Sequence, residues 1–179
     1  MKKTVILFVI ALFAFGAYAA TKTAAGKTNP QSISIKIPGL VNMKYLPVIF
    51  TADGAGMSPF VLIENVPANA KSLVLIMDDL DAPNATFVHW LIFNIPAKTK
   101  AIMRNHTPAG AAMGKNSAGV LKYVPPSPPP GKPHRYIFNL YALDRMLDLK
   151  EGANKDMVVT AMQGHVIVQT SLTGLHKRK

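Results

Sequence analysis

Cysteine is absent from this sequence. Disulfides, cysteine-based zinc sites and a thiol nucleophile are therefore excluded, and a lipoprotein anchor has no acceptor. Any fold formed here is held by packing alone. Acidic side chains are scarce: nine Asp and Glu stand against twenty Lys and Arg, a formal charge of +11 at pH 7. That surplus favours anionic partners such as lipid headgroups, phosphate groups or nucleic acid. Nucleic acid is set aside, because the basic residues are scattered apart from His176-Lys177-Arg178-Lys179 and no stretch interleaves arginine with aromatics. A membrane span is missing as well: the apolar stretch from Thr4 to Phe15 is shorter than the ~20 residues a bilayer requires.

That stretch has a different reading. Lys2 and Lys3 precede it, and Ala17-Tyr18-Ala19 ends it with the small-x-small pattern of a signal-peptidase site. Residues 1–19 are expected to be a signal peptide cleaved after Ala19, which places the mature chain in a periplasm or outside the cell, without a stable membrane anchor. Removing Lys2 and Lys3 leaves 18 basic and 9 acidic side chains, a charge of about +9. Residues 20–31 are small, polar and without apolar period, and read as a flexible lead-in. What remains, 32–179, suits one domain, its 14 prolines and 12 glycines spread among apolar runs.

Within that domain, Ser32 to Ile37 alternates polar and apolar and stops at Pro38-Gly39, the mark of a strand with one buried face. Asp53-Gly54 and Ser58-Pro59 mark turns before Phe60 to Ile63. Ser72 to Met77 and Phe87 to Ile95 are apolar runs that suit central strands. Asn105 to Lys132 is a long loop of small residues ending in Pro125, Pro126, Pro128, Pro129 and Pro130. Prolines fix φ at each step, so this loop can be a rigid wall. His134 to Leu143 returns to strand, and Met157, Val158, Ala161 and Met162 draw one face of a short helix. Val166 onward alternates again as a final strand. Many strands and one short helix favour an antiparallel β-sandwich.

Two clusters could carry chemistry. Asp78, Asp79 and Asp81 close an apolar strand, and His89-Trp90 sits in the next. Asp at a strand end also caps turns, which weighs equally for Asp78, and for His89 a satisfied core histidine is from spacing alone the more common outcome. The second cluster is Gly114, Asn116, Gly119 and Tyr123, followed by Ser127-Pro128-Pro129-Pro130-Gly131-Lys132-Pro133-His134-Arg135-Tyr136.

In this order, the DxDAP…HW run, the GxN…G…Y run, and PPPG followed by HRYIFNLYALD resemble the phosphatidylethanolamine-binding protein family, in its bacterial Raf-kinase-inhibitor-like branch. The likeness covers roughly Pro47 to Arg178, with Asp53-Gly54 and Ser58-Pro59 matching the family's opening DG…SP. It implies a Greek-key sandwich of two antiparallel sheets with a short helix near the C-terminus. It also implies a small cavity for phosphate, acetate or a phospholipid headgroup, and a binding or inhibitory module in place of an enzyme, with no cofactor. Matched residue by residue, Asp79 and Asp81 stand at the motif's carboxylates, His89 at the HW histidine, and His134 and Tyr136 at the HRY pair. Ser127 to Pro129 would form the wall beside the anion. The chain departs from the pattern at Leu80, where proline is usual, and at Val124-Pro125, where a glycine pair is usual.

Chemically, a phosphate monoanion wants several donors converging at a small mouth, here imidazole, phenol and backbone groups. Nearby carboxylates would hold the imidazoles protonated and oriented, or donate from a protonated carboxyl. The competing reading is a metal-dependent enzyme built on the Asp and His residues. No HExxH, GxSxG elbow or GK[ST] loop supports it. A cytosolic kinase is out of reach of an exported chain, so the partners left are a small anion or phosphorylated headgroup and an extracellular protein. The residues set no oligomeric state.

Overall fold

The computed structural model describes residues 32–178; the expected signal peptide and the lead-in at 20–31 lie outside them. Nine strands and one α-helix follow in order: β1 Ser34–Lys36, β2 Lys44–Tyr45, β3 Val61–Glu64, β4 Ser72–Asp79, β5 Phe87–Pro96, β6 Ala101–Ile102, β7 Ala112–Met113, β8 His134–Leu143, α1 Lys155–Met162 and β9 Val166–His176. A three-stranded sheet of order β1-β3-β6 faces a six-stranded sheet of order β2-β9-β8-β4-β5-β7. All pairings are antiparallel except β2 with β9. The chain is thus a mostly β sandwich with crossovers of Greek-key kind, as expected.

β4 sits between β5 and β8, and all eight of its residues are buried. Alternation along a strand sends neighbours to opposite faces. Leu73, Leu75 and Met77 enter the core between the sheets with Ile35, Ile63 and Phe138. Val74 and Ile76 enter a second core with Leu91, Phe93, Val158 and Met162 under α1. Each Leu, Ile or Phe so buried contributes about 1.5–3 kcal/mol. The same parity puts Asp79 at the end of the inner face and Asp78 on the outer one.

The register of β5 against β4 slips twice. Ile95 opposes Leu73 but Ile92 opposes Leu75, and Asn94 in this bulge takes φ 55°. Its buried amide closes the gap, donating to the Leu147 carbonyl at 2.9 Å and accepting from the Leu147 N–H at 2.7 Å. Trp90 opposes Met77 and Val88 opposes Asp78, so His89 is the extra residue of a second bulge. A bulge re-aims side chains. Here it sits at the site end of the sheet.

α1 starts at Asn154, whose side chain accepts from the Met157 N–H at 2.9 Å, with Asp156 in the first turn. Its buried residues are Val158 and Met162, one turn apart. Met157 is 50% exposed, which corrects its expected place on the apolar face: the register of the helix against the sheet turns it to solvent. The long loop is regular only at β7, which pairs Met113 with Ile92. Buried Asn116 organises the chain from Ser117 to Lys122, accepting from the N–H groups of Ala118 and Val120 and donating to the Lys122 carbonyl at 2.7 Å. Among the described residues, no helix is long and apolar enough to cross a membrane.

Candidate functional site

β8 alternates with His134, Tyr136 and Phe138 buried and Arg135 exposed. Register pairs Asp79 with Tyr136, so the end of β4 and the start of β8 deliver a carboxylate, a phenol and an imidazole to one place. The His134 Nδ1–H donates to Asp79 Oδ2 at 2.8 Å, and the backbone N–H of Asp81 donates to Asp79 Oδ1 at 2.9 Å. Both carboxylate oxygens are thereby occupied, and His134 is fixed with Nε2 on the side away from Asp79.

His89 arrives from the bulge, its ring 5.3 Å from that of Tyr136 and edge-on to it. Phe87 backs it at 4.7 Å. The His89 Nδ1–H donates to the Val124 carbonyl at 2.7 Å, so Nε2 is again the open nitrogen. Burial pushes the His89 pKa below the ordinary histidine value, outweighing the Val124 bond and the charges of Asp79 and Asp78, which pull upward. This corrects the expectation that neighbouring carboxylates keep the imidazole charged: at His89 desolvation wins.

Tyr136 is fully buried, and its hydroxyl makes no well-aligned hydrogen bond among the described residues, although the Asp79 carboxylate lies near enough to act on it. Burial, and then the charge of Asp79, push its pKa well above the usual phenol range. The phenol is therefore a neutral O–H donor. A buried hydroxyl without a well-aligned bond costs stability. That cost is relieved when an acceptor enters.

These groups line a cavity of about 210 Å³. Six of the seven residues proposed from the sequence border it: Asp79, His89, Ser127, Pro129, His134 and Tyr136. Asp81 does not. Its carboxylate takes the Arg135 Nε–H at 2.8 Å, the Nη2–H at 2.7 Å and the Arg135 backbone N–H at 2.8 Å. The Arg135 guanidinium holds Asp81 down to about 2. Arg135 points outward from β8, and Asp81 follows it.

Val124 and Pro125 also border the cavity, as does Phe87. Nothing periodic in the loop marked Val124 as a holder of His89. Leu80 donates its N–H to the Arg135 carbonyl at 3.1 Å. Proline could not make that bond. Asp78, on the other face, pairs with Lys155 Nζ at 2.8 Å and takes no part in the cavity. Among the described residues no three His, Asp or Glu side chains gather as a metal set.

The sequence model for phosphatidylethanolamine-binding protein matches residues 37–177. The chain belongs to the phosphatidylethanolamine-binding protein family. A UPF0098 protein of Methanothermobacter thermautotrophicus is 46% identical over 138 residues, covering 74% of this chain and 91% of that one. A UPF0098 protein of Aquifex aeolicus is 38% identical over 143 residues, with 76% and 84% covered. Among solved structures, a Chlamydia trachomatis homologue of this family, CT736, superposes with a TM-score of 0.79 at 32% identity, covering 83% of this chain and 99% of its own. Escherichia coli YbcL, at 23% identity and a TM-score of 0.77, shares the fold, with 82% and 99% covered.

Proposed function

We propose that this family member is an exported, non-enzymatic binding protein whose small cavity takes a phosphate-type anion, free or as the headgroup of a phospholipid. The observation that carries the reading is the buried Tyr136 hydroxyl, without a well-aligned hydrogen bond and set between two imidazoles whose Nδ1 atoms are already engaged. A tetrahedral anion offers an acceptor to the phenol. It also shares a proton with each Nε2, as acceptor from an imidazolium or as donor from a P–OH group. The cavity of about 210 Å³ suits a phosphate group better than a whole lipid. The family's name agrees with that chemistry. Asp79 acts here by orienting His134 and leaves the anion to the donors.

The reading is tested by titrating inorganic phosphate or phosphoethanolamine into the mature protein and into His134→Ala, with thermal melts alongside. Loss of a charge-assisted bond weakens binding by ~1.5–3 kcal/mol, tenfold or more. Unaltered affinity in a folded variant refutes the site. Binding that appears only with added metal and vanishes with chelator would favour the metal-dependent enzyme.

A further inference from the structure

Beside the small cavity lies a larger cleft of about 580 Å³. The two meet at Val124 and Pro125, which line both. The bulge in β5 is the cause: it places consecutive residues at the two cavities, His89 at the small one and Trp90 at the large one. Segment 123–125 crosses above them as a rib. It is fixed by the Val124 N–H to the His89 carbonyl at 3.0 Å and by the Tyr123 hydroxyl to the Phe50 carbonyl at 2.8 Å.

The cleft has its own chemistry. Met113, Leu121 and Trp90 give it an apolar wall, and none of the described residues lining it is acidic. Its ionisable side chains other than the engaged Tyr123 are His106 and Lys122. Lys122 springs from a backbone pinned by Asn116 through the 2.7 Å bond to its carbonyl. In the same lining, Ser58 and Asn105 clasp each other: the Ser58 N–H donates to Asn105 Oδ1 at 2.9 Å, and the Asn105 N–H donates to Ser58 Oγ at 2.7 Å. Those bonds use the side-chain oxygens as acceptors, so the hydroxyl proton and the Asn105 amide hydrogens are what this wall offers a ligand. Donors and cations without carboxylates select an acceptor-bearing, negatively charged group.

We propose that the cleft is the second compartment of one divided site, and that the ligand is a phosphoester whose organic part carries a carboxylate. The phosphate sits under Tyr136, a short chain crosses the rib at Val124-Pro125, and the carboxylate meets Lys122 and the Ser58-Asn105 pair. This rests on the anion reading of the small cavity and extends it from a headgroup to a ligand with a second anionic group.

Two probes of equal carbon length isolate the carboxylate: 6-phosphogluconate carries it, and sorbitol 6-phosphate has a hydroxymethyl group there. In calorimetric titration at low salt, 6-phosphogluconate is expected to bind about fivefold or more tightly than sorbitol 6-phosphate, the scale of one exposed ion pair with accompanying hydrogen bonds. Lys122→Met closes that gap, chiefly by lowering 6-phosphogluconate affinity toward that of sorbitol 6-phosphate, whereas the same change at exposed Lys98, outside the cleft, preserves the gap. Equal affinity of the two probes for the wild type, or a gap that survives Lys122→Met, overturns the proposal. Inorganic phosphate separates the two readings: if it binds and no gap is seen, the cleft alone is refuted, and if it does not bind, the small-cavity reading falls and this one with it.

Discussion

His89 and Val124 are joined twice, by the Val124 N–H to the His89 carbonyl at 3.0 Å and by the His89 Nδ1–H to the Val124 carbonyl at 2.7 Å. The pair ties the irregular loop to the bulge of β5 and decides which nitrogen of the imidazole is open. It also buries the ring, which is why its pKa lies below the ordinary value of 6.5. An uncharged Nε2 is an acceptor, and an anion must bring a proton or induce one to bind.

Phosphate affinity is therefore expected to rise as pH falls from about 7.5 to 5.5, with net proton uptake on binding. Stability of the free protein runs the other way. A histidine whose folded pKa is lowered contributes stability that is complete above the unfolded value, ~6.5, and is lost as pH falls toward the folded one. Calorimetry in buffers of different ionisation enthalpy measures the uptake. Phosphate affinity that stays level or falls over that range would contradict an uncharged His89 that needs a proton on binding.

Tyr136→Phe separates ligand binding from folding. Removing a hydroxyl that makes no well-aligned hydrogen bond takes away a buried polar group at the cost of at most a weak contact with Asp79, so the melt should stay within about 1 kcal/mol of wild type. Phosphate affinity should fall several-fold because its neutral donor is gone. A destabilised variant with unchanged affinity would mark the hydroxyl as structural.

The fold was legible where period or punctuation carried it. Alternation from His134 to Leu143 places His134 and Tyr136 on one face, and the unbroken apolar run from Ser72 announces a strand buried on both sides. Asp81 was illegible for a physical reason: its side depends on how the turn after Asp79 leaves the sheet and on the outward aim of Arg135, and neither leaves a mark in spacing. His89 shows the same limit. No glycine or proline signals the bulge that re-aims it, and its holder Val124 lies 35 residues away in an irregular loop. Met157 was misplaced because Met157, Val158, Ala161 and Met162 define a broad stripe, and packing under α1 uses Val158 and Met162, with Ala161 partly buried against the same core, and leaves Met157 outside.

That division makes a stability contrast. Met162, 4% exposed in the outer core, should cost about 2–5 kcal/mol on truncation to alanine. Met157→Ser at the exposed position should stay within about 0.5 kcal/mol of wild type. Urea unfolding of both variants checks it, and equal losses would mean that the helix packs through its other edge.

The export in the proposed function rests on Lys2-Lys3, the apolar run from Thr4 to Phe15 and Ala17-Tyr18-Ala19. Mass analysis of the protein from its native compartment is expected to give Ala20 as the first residue. A soluble cytoplasmic form that keeps Met1 would rule this out.

Asp79 and Asp81, two residues apart, should behave in opposite ways. Asp79 is 4% exposed and holds His134 through Oδ2, so Asp79→Asn replaces an anionic acceptor with an amide and loosens the imidazole's orientation. Phosphate affinity is then expected to drop roughly tenfold, in line with charged hydrogen bonds of ~1.5–3 kcal/mol. Asp81→Asn breaks the exposed pair with Arg135 outside the cavity. Ion pairs at such exposure are worth at most about 1 kcal/mol, because water screens them. Its affinity should match the wild type, and its main effect should appear in acid. Asp81, held down to about 2, contributes stability that is present above the ordinary value of 3.8 and is lost as pH falls toward 2. The wild type's melting temperature should thus fall more steeply than the variant's between pH 4 and pH 2. If Asp81→Asn instead loses phosphate affinity while Asp79→Asn keeps it, the carboxylate that serves the anion is the outer one, and the role assigned to Asp79 is wrong.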